Sequence, residues 1–336
     1  MTMYKIAKSS IINVFMVNLT KSILLCPLFP LYHITPLCNL KCAYCEGLGP
    51  SYQINPALPH LSTDEAKELL RIIRRKFDML FLTGGEPCVR EDFSELALYA
   101  KERGFSVIAV NTNSLLLPQS EESLKAITHL VISIDSLDEA SYDRILGIPG
   151  AAGQIRENAL RYTRLRRIYG YKLSIHCVVM PDRLGDAYAM LDFCLSNSIP
   201  VRFSPQTINL SPHPDLIGNI EYQRFIRKLI HLKKQTRLIS GTSSFLNTIL
   251  SFKQYRCHPF MIPRIFPKGE LLYPCRLVSK IGGNLLSTGS WDTTVKRAVE
   301  SFGLPAECYR SCQLPCYIEP SLIFKRPWEI VSEFTF

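Results

Sequence analysis

The sequence predicts an α/β fold assembled from parallel strand–helix units, and three observations carry that expectation. Short apolar, β-branched runs alternate with helix-length amphipathic segments from residue 29 to residue 206. That rhythm is the signature of βαβ units with right-handed crossovers. Each of the first four runs also ends in chemically unusual residues: "CNLKCAYC", "TGGEP", "NTNS" and "SIDS". Parallel α/β folds gather their chemistry at the carboxyl ends of the strands, so four such endings imply one composite rim site. Finally, 336 residues with 47% hydrophobic and 20% charged side chains suit one large α/β domain with a smaller appendage.

Taken in order, "FPLYHIT" is a strand that runs into the first cysteine loop. "LSTDEAKELLRIIRRKF" is a helix opened by a capping box, with Ser62 at the N-cap and Glu65 three residues on. "DMLFLTGG" is the second strand, and "DFSELALYAKERG" a helix stopped by Gly104. "FSVIAVNTN" and "HLVISID" are the third and fourth strands, with a helix expected between them near "SEESLKAI". A helix over 153–169 leads to the fifth strand, "YKLSIHCVVM"; the helix "LGDAYAMLDFCLSN" then leads to the sixth, "VRFSPQ". There is no internal repeat and no low-complexity tract. Six units fit an open doubly wound sheet or an incomplete barrel, and the rhythm alone does not choose.

Lys and Arg number 39 against 29 Asp and Glu, a net charge of +10. This favours anionic partners but is common among enzymes. The basic stretch "RYTRLRRIYGYK" reads as a solvated helix face, and no nucleic-acid partner is expected. Residues 9–29 are apolar, yet Lys21 interrupts them and Pro27 ends them, short of the ~20 apolar residues a membrane span needs. They read as an amphipathic packing helix, with peripheral membrane contact as the other reading. No small-x-small cleavage site marks a signal peptide. The 12 cysteines are clustered, which reads as metal binding in a reducing, cytoplasmic compartment rather than as a disulfide framework. The organisation expected is an apolar helical segment over 1–29, a barrel core over 30–210, a helical connection over 211–250 and a cysteine-rich region over 251–336.

Cys38, Cys42 and Cys45 form C-x3-C-x2-C, and no fourth Cys or His follows nearby. Soft thiolates select iron–sulfur clusters, zinc or Cu(I). A structural zinc site is closed by four ligands, whereas three leave one metal position open for a substrate. This spacing, with the aromatic Tyr44 before the last cysteine, resembles the radical S-adenosylmethionine (SAM) superfamily. "GGEP", Gly84 to Pro87, is similar to that family's methionine-binding motif, and the resemblance covers about residues 30 to 210.

The resemblance implies a partial (β/α)6 TIM-like barrel, a [4Fe–4S] cluster on the three cysteines, and bound SAM. It implies reductive cleavage of SAM to a 5′-deoxyadenosyl radical that takes hydrogen from a substrate C–H bond. Tyr44, Gly84, Gly85, Glu86 and Pro87 would contact SAM, the glycines by letting backbone approach the ligand and Glu86 by facing the methionine ammonium. Asn113, followed by Ser114 where the family more commonly has Gly, would join them. Ser133 and Asp135 match ribose- and methionine-contacting positions. Arg144 reads either as a partner of the SAM carboxylate or as a solvated surface arginine.

The last third resembles a shortened auxiliary-cluster (SPASM/twitch-like) domain. Cys308, Cys312 and Cys316, with Cys257 or Cys275, would hold one further [4Fe–4S] cluster. "CHPFMIPRIFPKGELLYPC" suggests a β-hairpin between two ligands, while a zinc knuckle or reduced structural thiols are the other readings. Cys26, Cys88, Cys177 and Cys194 read as core thiols, and His176 as packed or barrel-lining. A peptide or protein side chain is the expected substrate, since many relatives with such C-terminal clusters modify peptides. The chain shows no peptide-recognition domain ahead of the barrel, which leans against a large peptide. A lipid or polyprenyl chain is the alternative, because "CYRSCQLPCYIEPS" resembles the tail of adenosylhopane-synthase-like enzymes. A flavodoxin or ferredoxin would supply the electron. The alternative of another class is a non-enzymatic iron–sulfur or zinc protein.

Overall fold

The computed structural model describes residues 27–45, 60–305, 308, 312–323 and 329. The apolar segment expected at the N-terminus, with Cys26, lies outside the described residues apart from its last three positions.

Six parallel strands form the core: β1 (Leu31–His33), β2 (Met79–Thr83), β3 (Val107–Thr112), β4 (His129–Ser133), β5 (Lys172–Val179) and β6 (Val201–Pro205), paired in that order. Each lies within its predicted run. The crossovers carry α1 (Thr63–Arg74), α2 (Phe93–Glu102), α3 (Glu139–Leu146), α4 (Ala151–Tyr169) and α5 (Leu184–Ser196). At α1 the reciprocal cap forms as the sequence requires: Ser62 N donates to Glu65 at 2.9 Å, and Glu65 N to Ser62 Oγ at 3.4 Å. One crossover departs from expectation. Between β3 and β4 the chain makes 3-10 turns over Leu117–Lys125, broken at Ser120, instead of an α-helix. Ser120 has non-helical backbone angles, φ −115° and ψ 23°, and its carbonyl accepts from Ser94 Oγ at 3.2 Å.

The two faces of the sheet differ in chemistry. One face turns Ile34, Leu80, Leu82, Ile108, Val110 and Leu130 onto the helices, all buried. Burial of this kind stabilises by roughly 1.5–3 kcal/mol per large side chain. The other face carries Thr83, Asn111, Ser133, His176 and Arg202, all partly accessible. The period of two therefore separates an apolar outer core from a mixed concave wall, where Phe81, Val131 and Val178 stand among those polar side chains.

After β6 come the short pair β7 (Thr207–Ile208) and β8 (Ser211–Pro212), then α6 (Ile220–Lys233) and α7 (Ser243–Ser251). The chain next returns to the opposite edge. β9 (Arg264–Ile265) pairs parallel with β1, and β10 (Glu270–Tyr273) and β11 (Lys280–Asn284) continue antiparallel, making a nine-stranded sheet. The hairpin expected between Cys257 and Cys275 is thus an extension of the barrel sheet itself. α8 (Leu285–Thr288), α9 (Trp291–Phe302) and α10 (Pro315–Ile323) follow.

The sheet is not closed by hydrogen bonds; β6 and β11 are its ends. α10 spans the gap with side chains. Its Cys316 meets Arg264 of β9 at 3.1 Å, and its Glu319 meets Arg202 of β6 at 2.5 Å. Among the described residues no helix is long and apolar enough to cross a membrane.

Candidate functional site: a cysteine loop bolted to four strand ends

The loop after β1 is fixed by backbone contacts to the loop after β2. Gly85 N donates to Thr35 O at 2.8 Å and Glu86 N to Leu37 O at 2.7 Å. The need for glycine follows. A Cβ on Gly85 would lie 2.1 Å from Leu37 O, and one on Gly84, at φ +158°, would lie 2.4 Å from Thr35 O. The close approach that these glycines permit is therefore to the cysteine loop itself, not only to a ligand as the sequence suggested. Pro87 opens a short 3-10 turn and is buried.

Arg90, which nothing in the sequence singles out, supports the same loop from below. It is 2% exposed and donates from Nη1 to Ile34 O at 3.2 Å and Leu61 O at 3.0 Å. Its other nitrogens make a bidentate pair with Asp92, at 2.8 and 2.6 Å. Asp92 also accepts from Thr63 Oγ1 at 2.7 Å, and these bonds hold its carboxyl below the usual range despite burial.

Strands β3 and β4 supply the remaining ties. Asn113 Nδ2 donates to Asn39 Oδ1 at 2.8 Å, next to Cys38. The carboxylate of Glu86 is 1% exposed and accepts from Thr112 Oγ1 (2.6 Å), Asn113 N (2.7 Å) and Cys88 N (3.2 Å). Burial pushes its pKa up while those three bonds pull it back. Tyr44 donates its hydroxyl to Asp135, which also accepts from Tyr142 at 3.2 Å and from Val178 N at 2.7 Å. Burial raises the Asp135 carboxyl to about 6. α3 clamps the far side, where Lys41 N and Ala43 N donate to Leu146 O and Ile145 O at 3.0 Å each.

The predicted residues are thus mostly brought together. Tyr44 touches Asp135, Glu86 touches Asn113, and the glycines carry the loop. Ser133 donates to Asn111 Oδ1 at 3.2 Å on the concave wall. Arg144 is different: it lies exposed on α3 and donates to the Ala140 carbonyl at 3.0 Å. Thr112, Tyr142, Asn39 and Arg90 carry no signal in the sequence. Their types are commonplace, and only the fold brings them to the loop.

The donor set fits a cluster. Cys38 and Cys45 are exposed, Cys42 is half-buried, and none is in a disulfide. Burial, then the charge of the other two thiols, raises Cys42 to about 12, and burial likewise raises Cys38. Thiols crowded this way resist ionisation unless a cation accompanies the thiolates, as it does on metal binding. Among the described residues no three His, Cys, Asp or Glu side chains converge on a point suited to one metal ion. Cluster thiolates do not need such a point, since each binds a different iron.

The C-terminal cysteines gather beside β9. Cys257 and Cys308 pair as an antiparallel bridge, with Cys257 N donating to Cys308 O at 2.8 Å. Tyr255 donates its hydroxyl to Cys312 O at 2.8 Å. Burial raises Cys257 to about 12, with Cys312, Cys275 and Cys308 adding to the shift. Four thiols from three segments are therefore electrostatic neighbours, and Cys316 follows on the same segment as Cys308 and Cys312. Cys88, Cys177 and Cys194 are buried core thiols, and His176 lines the wall with Nε2 2.8 Å from Ser204 Oγ.

An open parallel barrel with a three-cysteine loop at its strand ends defines a fold built to carry a cofactor on its rim. Residues 32–194 match the family model described as the Radical SAM superfamily, and the chain carries a radical SAM domain there. Members of that superfamily bind a [4Fe–4S] cluster and SAM. Among curated proteins the chain is similar to an AdoMet-dependent heme synthase of Nitratidesulfovibrio vulgaris, 30% identical over 166 residues, which cover 48% of this chain and 43% of that protein. It is also similar to a GTP 3′,8-cyclase of Aquifex aeolicus, 28% identical over 151 residues, 44% of this chain and 46% of that protein. The chain spans less than half the length of these two relatives. Among solved structures, Streptococcus suis SuiB bound to precursor peptide SuiA shares the fold, with TM-score 0.60, 16% identity, and coverage of 84% of this chain and 69% of that one. So does anSMEcpe with bound AdoMet and the Cp18Cys peptide, at TM-score 0.57, 17% identity, and coverage of 82% and 80%.

Proposed function

We propose that the chain is a radical SAM enzyme that removes hydrogen from a C–H bond of a peptide or protein side chain. When bound, the cluster and SAM supply the reductive cleavage of SAM to methionine and a 5′-deoxyadenosyl radical. Cys38, Cys42 and Cys45 would hold the cluster. One observation carries the reading: the cysteine loop is hydrogen-bonded directly to the GGEP backbone, through Gly85 to Thr35 and Glu86 to Leu37. The two elements that would bind cluster and methionine are thereby built as one rigid unit.

The residues then have separable tasks. Thr112 and the backbone of Asn113 and Cys88 orient the Glu86 carboxylate at the strand ends, where it would face a methionine ammonium. Asp135 positions Tyr44, and through it the segment between Cys42 and Cys45. Arg90 fixes Ile34 at the base of the loop. The concave wall of Thr83, Asn111, Ser133, His176 and Arg202 offers hydrogen bonds to a polar substrate and excludes bulk water once covered.

The polar share of that wall favours a peptide over a lipid or polyprenyl chain, because a peptide brings hydrogen-bond partners that a hydrocarbon lacks. The peptide-bound fold neighbours support the same reading. A flavodoxin or ferredoxin would deliver the electron. The C-terminal thiols would hold a second cluster through Cys308, Cys312 and Cys316 with Cys257 or Cys275.

The test is anaerobic incubation of the iron-loaded protein with dithionite and SAM. 5′-Deoxyadenosine should form, and the C38A/C42A/C45A variant should make none. Turnover persisting in that variant would remove the radical assignment.

A further inference from the structure

Two arginines face the seam that α10 spans, and they differ in what neutralises them. Arg202 of β6 is paired with the Glu319 carboxylate, which also takes the N–H of Thr242 at 2.7 Å. Arg264 of β9 has another environment. Among the described residues its charge faces a thiol, an imidazole and a phenol ring rather than a carboxylate. Nη2 donates to Cys316 Sγ at 3.1 Å, and its guanidinium carbon lies 5.7 Å from the centre of the Tyr317 ring. Nη1 lies 3.3 Å from His33 Nε2, and Nε is buried without a partner.

The chemistry of His33 sharpens this arrangement. Arginine has only donors, so His33 Nε2 must present its lone pair and the ring proton must sit on Nδ1. His33 is 5% exposed, and its burial, Arg264 and Arg276 together hold it neutral. A neutral imidazole on β1 therefore holds the guanidinium in place while one of its N–H groups points at sulfur. Among the described residues the anions this cation would face are the thiolate of Cys316, to which it donates, and that of Cys275.

We propose that Arg264 positions the Cys316 thiolate of the C-terminal iron–sulfur site and compensates its charge, raising the reduction potential of that site. The inference rests on the reading of the C-terminal cysteines as cluster ligands. Reduction adds one electron beside a fixed positive charge that already donates to a ligand sulfur, so the reduced form gains more from Arg264 than the oxidised form does. Hydrogen bonds to sulfur and local charge are among the levers that set cluster potentials. Arg264 acts through Cys316 and is a positioning residue.

The test uses the full-length C38A/C42A/C45A protein, purified anaerobically, so that only C-terminal iron is observed. Iron and sulfide are counted, and the reduced signal is followed by electron paramagnetic resonance during dithionite-mediated redox titration. The parent and its R264Q and R264K derivatives should each keep about four irons per chain. In R264Q the reduced-to-oxidised ratio at a fixed potential should fall about tenfold, which is ~59 mV for a one-electron couple. R264K keeps the charge and should stay near the parent. An unchanged midpoint in R264Q with iron retained, or an equal shift in R264K, would overturn the role of Arg264 and leave the ligand reading standing. Loss of iron from R264Q but not from R264K would support charge compensation in its stronger form. Loss from both would overturn the tuning role. A parent triple variant without iron, or with zinc alone, would remove the ligand reading and the inference together.

Discussion

Glu86 at the end of β2 and Asn113 at the end of β3 are joined by a 2.7 Å bond from the Asn113 N–H to the Glu86 carboxylate, wholly out of solvent. The carboxylate is thus a structural acceptor before it is anything for a ligand. Glu86→Gln should weaken SAM binding, and it should also destabilise the metal-free fold by about 1–3 kcal/mol, because the new amide has too few lone pairs for three donors. Equilibrium denaturation beside SAM titration separates the two effects. Weakened binding with stability unchanged would restrict Glu86 to the ligand, and the reverse would restrict it to the fold.

Gly85 gives a steric prediction. Alanine there places a methyl group 2.1 Å from Leu37 O, which only a shift of the cysteine loop relieves. Gly85→Ala should cost about 1–3 kcal/mol and lower the iron bound through Cys38, Cys42 and Cys45. Gly185→Ala in α5, where a Cβ meets nothing within 4 Å, is the control and should be neutral or slightly stabilising. Equal iron content in the two variants would show the loop to be more yielding than its contacts imply.

Local patterns in the sequence carry much of this architecture. Strand positions follow from β-branched runs, and the α1 cap from Ser62 and Glu65. The cysteine loop and GGEP stand out because each packs several rare residues into a few positions. What stays hidden depends on distance in sequence. Arg90 is one basic residue among 39, and nothing local says that Ile34, 56 positions earlier, needs its hydrogen bond. The glycines point to a ligand when read alone, because a sequence does not show that the chain's own backbone fills that space. The β3–β4 crossover has the composition of an α-helix, whereas the bend at Ser120, tied to Ser94 on the neighbouring helix, leaves only 3-10 turns. Closure of the seam by α10 is not readable either, since Cys316 and Glu319 look like a ligand and a surface charge until β9 and β6 are placed beside them.

Arg90→Leu should be among the costlier single changes. It leaves the Asp92 carboxylate without its bidentate partner and the Ile34 and Leu61 carbonyls without a donor. Breaking a buried pair from one side costs about 3–5 kcal/mol. The double variant R90L/D92L should recover part of that loss, because no unpaired charge remains. A denaturant series on the wild type, both single variants and the double gives the coupling directly. Strict additivity would mean that Arg90 acts on the loop carbonyls alone.

His129 gives a prediction about acid stability at the opposite end of the barrel from the cysteines. It opens β4, its Nδ1 lies 2.9 Å from Thr128 Oγ1, and burial followed by the charge of Lys172 lowers its pKa to about 4. The ordinary value is 6.5. The folded chain thus keeps the ring neutral, while the unfolded chain takes up a proton below pH 6.5. This contribution to stability is complete above that pH, shrinks as the pH falls, and is spent once the folded ring also protonates near 4. For a side chain that retains some solvent contact, the loss between pH 7 and pH 5 is on the order of 1 kcal/mol. His129→Gln, which keeps a polar group beside Thr128 but does not titrate, should lessen the pH dependence by that amount. Denaturation midpoints of the two proteins at pH 7, 6 and 5 check it. Parallel curves would mean that the ring titrates alike in folded and unfolded chains, with Lys172 and burial exerting no net effect on it.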